Sequence, residues 1–129
     1  MKKIITSFAF VLFAFTMNAQ SYPTVSELKN DFEIVFKYIE SDISFIENKL
    51  GIKLSADQRK SFEAVFYNKY KHIAGSDNLD NFEEVASATA ERIQAGLGSE
   101  KFTKLAGIEN AMVILSGRIY LNPTVLDNQ

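Results

Sequence analysis

The residues of this chain best suited to chemistry are few. His72 is the only histidine, and there is no cysteine. It stands beside Lys71 and close to Lys69, where a helix is expected to end. There a basic group complements the negative end of the helix dipole, which is its ordinary role; a general base is the alternative. Asp77, Asp80, Glu83 and Glu84 crowd carboxylates into one short stretch. Their spacing is not that of a calcium loop, and at a helix start they suit the positive end of the dipole. A zinc site would need several His or Cys ligands. No serine stands in a nucleophile elbow, and no glycine-rich phosphate loop is present. Carboxylates paired across helices leave no mark on a sequence, so a small enzyme or inhibitor stays open as a class. No catalytic residue, cofactor or metal is assigned on this reading.

The aromatic content is the better clue, with 11 Phe and 5 Tyr in 129 residues. On a helical wheel Leu28, Phe32, Val35, Ile39, Ile43, Ile46 and Leu50 share one broad face, which Phe36 widens. Ile34, Tyr38 and Phe45 form a second strip about 120° away at 100° per residue. Tyr67 likewise lies off the main stripe of the next helix. Either the first helix is wedged between two neighbours and both strips are core, or the second strip is offered to a partner. Ile34, Tyr38, Phe45 and Tyr67 are therefore the candidate partner-binding residues. The partner would be a protein or an unfolded client, with a second copy of the chain as one form of it.

The elements that must position these residues read as helices. Thr24 and Glu27 make a capping box ahead of the first stripe, and Gly51 follows its last member, so a long first helix is expected over 25–50. Ser55 and Gln58 make a second box before Phe62, Val65, Phe66, Tyr70 and Ile73, with Gly75 closing that helix. Phe32 and Phe66, at the centres of their stripes, are expected in the core. Asp80 and Glu83 make a third box before Phe82, Val85, Ala86, Ala90 and Ile93. Ser99 is the expected cap of a fourth helix with the stripe Phe102, Leu105, Ile108, Met112, Leu115 and Ile119. Gly107 and Gly117 weaken it by about 1 kcal/mol each. Residues 112–121 also read as a hairpin turning at Ser116–Gly117; the helix is preferred because its stripe starts at Phe102 and stays in phase. The expected fold is all-α: a long first helix and three shorter ones in an antiparallel bundle or hairpin array.

Lys2 and Lys3 precede an apolar run over residues 4–17, which has signal-peptide length and is too short for a bilayer. Cleavage is expected after Ala19, leaving a single helical domain over 20–129. The bulk of Met17 leaves the exact bond open. The junction Asn18-Ala19-Gln20 is of the Gram-negative export kind, so the expected location is the periplasm or the medium, with no stable membrane anchor once the leader is gone. Losing Lys2 and Lys3 leaves 12 Lys+Arg against 16 Asp+Glu, a net charge near −4. That surface lacks the basic footprint nucleic acid requires, and it disfavours docking on anionic lipid. An exported chain without cysteine must hold together by its core alone.

The stretch Leu54-Ser55-Ala56-Asp57-Gln58 resembles the LTxxQ signature of small periplasmic helical proteins of the Spy and CpxP type. A degenerate second copy would be Leu97-Gly98-Ser99-Glu100-Lys101. The resemblance covers about residues 50–105. It implies an all-helical fold, often a cradle-shaped dimer, acting as an ATP-independent chaperone or envelope-stress protein. The cradle of the chaperone member is basic, whereas this chain is acidic. The expected function is thus an exported, non-enzymatic binding protein.

Overall fold

The computed structural model describes residues 22–75, 79 and 81–121. The expected leader, Asp77 and Asp80 lie outside the described residues. What is described is all-α: helical elements make up 80% of it and it contains no strand.

Helix α1 (Val25–Asn30) opens on the Thr24–Glu27 capping box, with both reciprocal hydrogen bonds made at 3.0 Å. The first helix is not the continuous rod its stripe suggests. At Asp31 the backbone leaves helical geometry (φ −149°, ψ 88°), and the Asp31 side chain accepts from the N–H of Glu33 at 3.2 Å. This starts a 3₁₀ turn (Phe32–Ile34), and only then does α2 (Val35–Leu50) begin. An Asp that bonds its neighbouring backbone competes with the helix ladder, and here it wins. Gly51 ends α2 in the left-handed conformation (φ 64°), as its position predicts.

Helix α3 (Ala56–Gly75) starts on the second capping box: Ser55 N–H donates to Gln58 Oε1 at 2.9 Å, and Gln58 N–H to Ser55 Oγ at 3.1 Å. Helix α4 (Phe82–Leu97) follows Asn81, which has φ 65° and makes no side-chain cap; the third box cannot be followed because Asp80 is outside the described residues. Ser99 is not a cap. It is the first residue of α5 (Ser99–Ala106), and Gly98 precedes it at φ 88°.

The fourth helix is shorter than its stripe. The chain turns over residues 107–110, re-forms as α6 (Ala111–Leu115), turns again at Ser116–Gly117 and ends in a 3₁₀ turn (Arg118–Tyr120). The hairpin reading placed a turn at Ser116–Gly117 correctly, but both flanks are helical. Gly117 has φ 86°, and a Cβ there would lie 2.9 Å from the Phe82 ring and 3.2 Å from Lys69 Cδ. The turn therefore needs glycine for conformation and for space.

One cluster of buried residues runs through these helices, with Leu28, Ile43, Ile46, Phe66, Tyr70, Ile73, Ile93 and Leu115 at its centre. Leu105 and Ile119, from either end of the broken fourth stripe, are also fully buried, so the stripe meets the core in pieces. Helix α3 packs against α4, α2 and α1. Phe66 is core as expected. Phe32 is only half-buried, because the break at Asp31 moves it to the rim, edge-on to Tyr67 at 5.6 Å.

Candidate functional site

Three places gather groups capable of recognition or chemistry. The first is sealed. Asp42 follows Ile39 by three residues on the apolar face of α2, and Lys69 follows Phe66 by three on that of α3. Each charge is thereby carried into the core, and both side chains have no solvent exposure. Lys69 Nζ donates to Asp42 Oδ2 at 3.0 Å and to the Leu115 carbonyl at 3.0 Å. Tyr70 Oη donates to the same Asp42 oxygen at 2.6 Å. The ammonium also lies 4.2 Å from the Tyr70 ring centroid and 4.8 Å from that of Phe66. Burial pulls the Lys69 pKa down, against the Asp42 charge that holds it up. Burial first, and then Asp42, push the Tyr70 phenol well above its usual value near 10.

Lys69 is not one of the cations that complement the helix end from solvent beside Lys71 and His72, because its side chain is fully buried. The clue was its spacing, since Phe62, Phe66, Lys69 and Ile73 fall on one face at helical intervals. Leu115 ends α6, so the ammonium caps the carbonyl end of that helix while neutralising Asp42. The cluster ties α2, α3 and α6 together. The side chains of Asp42, Lys69 and Tyr70 carry no exposed surface, and the cluster is built to hold the fold.

The second place is an aromatic edge where α2 meets α3. Phe36 is 60% exposed, the more exposed of two large apolar side chains open to solvent among the described residues. Its ring lies 6.2 Å from Tyr67, which in turn meets Phe32. Beyond Phe36 the edge turns polar, with Arg59 paired to Glu40 and to Glu63. The expectation that Phe36 widens a buried face does not hold. The candidate residues separate. Tyr67 belongs to this edge and is half-buried. Tyr38, two residues past Phe36, points about 200° away, half-buried beneath the Lys37 ammonium at 5.1 Å. Ile34 is half-buried against the core. Phe45 is itself core, 7% exposed.

The third place is an open groove of about 370 Å³ between α3 and α4. Helix α3 contributes Asn68, Lys69 and His72, and α4 contributes Glu84 and Arg92 along its rim. Val85, Ala88 and Thr89 line the floor between them. Thr89 is buried and its hydroxyl donates to the Val85 carbonyl at 2.7 Å. His72 is exposed, consistent with the solvated position its neighbours suggested. Of the acidic run, Glu83 pairs with Arg118 while Glu84 lines the groove. No group of His, Asp and Glu among the described residues is arranged to hold a metal ion.

The five-residue stretch that resembles LTxxQ has a structural role of its own. Leu54 is buried, and its N–H donates to Glu47 Oε2 at 2.9 Å, closing the bend after α2. Gln58 caps α3 and also donates from Nε2 to the Gly96 carbonyl at 3.1 Å. The first stretch thus braces the end of α4, immediately before the second. Comparison of the chain with protein-family models, with curated proteins and with solved structures finds no match.

Proposed function

We propose that this chain is an exported, non-enzymatic binding protein whose aromatic edge engages a protein partner, in the first instance an unfolded client. The mature part begins near Gln20, in the periplasm or the medium, and carries the helices as an antiparallel bundle. The observation that carries this reading is the exposed ring of Phe36 beside the half-buried rings of Phe32 and Tyr67. An exposed aromatic beside others is expensive to leave in water and is what a protein partner covers. Non-native chains expose aromatic and aliphatic side chains, so an edge of this kind suits them. The Spy-like resemblance points the same way through the Leu54–Gln58 stretch. The groove between α3 and α4, which gathers His72, Glu84 and Arg92, is the place a small-enzyme reading would use, and that reading stands as the alternative.

Two measurements test the proposal. N-terminal sequencing of protein recovered from the cell envelope should begin at or within two residues of Gln20; a retained Met1 refutes export by cleavage. At stoichiometric amounts the protein should suppress aggregation of a thermally unfolding test protein. Phe36→Ser combined with Tyr67→Ser should weaken that suppression while leaving the circular dichroism helical. A wild type without suppression refutes the chaperone reading.

A further inference from the structure

The groove between α3 and α4 carries charged groups that the fold itself does not use. The chain has three arginines. Arg59 is paired with Glu40 and Arg118 with Glu83, whereas Arg92 makes no ion pair among the described residues. Glu84 makes none either, although it shares the groove with Arg92. Both are exposed at the rim, as are His72 and Asn68 across from them. The register of α3 on α4 follows from the far end, where a Cβ on Gly96 would lie 2.7 Å from the Phe62 ring. Counting forward along α3 and back along α4 at equal rise brings His72 level with the Glu84 end and Asn68 level with the Arg92 end. One end thus offers a carboxylate and an imidazole, the other a guanidinium and a carboxamide. The floor between them is formed by the small side chains of Val85, Ala88 and Thr89.

The geometry points to a site for a short extended peptide with both termini free, its ammonium at Glu84 and its carboxylate at Arg92. A guanidinium presents two parallel N–H donors that match a carboxylate, and Glu84 accepts from an ammonium. Eight residues of helix separate the two charges by about 12 Å along the axis, at about 1.5 Å per residue. An extended chain advances about 3.3–3.6 Å per residue, so a tripeptide reaches most of that span and the side chains close the rest. The shallow floor admits small side chains in the middle. A single amino acid is too short to touch both ends. This inference uses none of the residues of the aromatic edge, so the two readings stand or fall separately.

The test is a titration of ¹⁵N-labelled protein, isolated as the expressing cell leaves it, with tri-alanine. Saturable shifts are expected at the amides of Asn68, Ala88 and Thr89. N-acetylated tri-alanine and C-amidated tri-alanine should each bind at least about threefold more weakly, and alanine alone should give no saturation over the same range. Glu84→Gln should remove the penalty for N-acetylation only, and Arg92→Gln the penalty for C-amidation only. Because each variant is read against a paired change in the peptide, a general loss of structure cannot imitate this pattern. No saturable shift, equal binding of capped and free peptides, or inorganic phosphate reproducing the whole pattern would overturn the proposal.

Discussion

Lys69 shows how far a single side chain can depart from what its type suggests. A buried ammonium is costly unless a charge and hydrogen bonds replace its water, and here Asp42, the Leu115 carbonyl and two aromatic faces do so. Removing one partner leaves the other charge uncompensated. Lys69→Met should therefore lower stability by about 3–5 kcal/mol in denaturant melts. Adding Asp42→Asn, which keeps an oxygen for Tyr70, should recover about 1–3 kcal/mol of that loss; full additivity of the two losses would show that the pair does not act as a unit. Tyr70 of this cluster and Tyr120 near the last turn together give the fold an alkaline limit. Burial raises the phenols of Tyr70 and Tyr120, so the folded state keeps protons that the unfolded chain gives up near pH 10. Their contribution is complete below that pH and is lost as pH rises beyond it. Lys69, held below its usual 10.5, works the other way, but only up to that value. Stability should thus fall above about pH 10.5. In a base titration, part of the tyrosinate absorbance should rise together with the loss of helicity, and Tyr70→Phe with Tyr120→Phe should shrink that late phase. Tyrosinate absorbance complete before any helix is lost would contradict the burial of these phenols.

At the scale of elements, what could be read from the sequence and what could not divide along physical lines. Capping boxes are local: Thr24–Glu27 and Ser55–Gln58 need only residues three apart, and both form as read. Gly51 is local in the same sense. The breaks were harder, because periodicity reports which residues face the core and says nothing of whether the backbone between them is continuous. Leu28 and Val35 are both fully buried although Asp31 interrupts the helix between them. Leu105, Leu115 and Ile119 are all buried although turns separate α5, α6 and the last 3₁₀ turn. Of the candidate site residues, Phe45 shows the same limit: a second strip on a wheel could equally be core, and Phe45 is. The groove charges were invisible because Glu84 and Arg92 acquire a shared wall only when α3 packs on α4. That packing has its own signature at Gly96, where the Phe62 ring leaves no room for a Cβ. Gly96→Ala gains helix propensity of about 1 kcal/mol in isolation, yet here it should destabilise by about 1–3 kcal/mol through overpacking. A variant as stable as wild type would mean that Phe62 moves aside freely.

At the scale of the whole molecule, the two ends of the described chain close on each other. Tyr120 Oη donates to the Pro23 carbonyl, and the Tyr22 ring stands edge-on to Tyr120 at 5.6 Å. Leu28, a few residues on, is fully buried against the rest of the core. The core therefore recruits α1 and the last turn alike, and the surface left for partners is what this closure does not cover. That sorts the aromatic side chains by what their loss should do. Ile34→Ser with Phe45→Ser deletes a core ring and a separate half-buried side chain. Loss of a buried phenylalanine alone costs about 3–5 kcal/mol, against a total near 5–15 kcal/mol for a domain. The double variant should accordingly melt far below wild type or be unfolded at room temperature. Phe36→Ser, at a side chain 60% exposed, should change stability by no more than about 0.5 kcal/mol. Any effect it has should fall on association, read by sizing and by suppression of aggregation. Thermal melts of the two variants side by side decide the assignment. If Ile34→Ser with Phe45→Ser melts like wild type while Phe36→Ser collapses, the core and the exposed edge have been exchanged, and the binding surface belongs on the Ile34, Tyr38 and Phe45 strip.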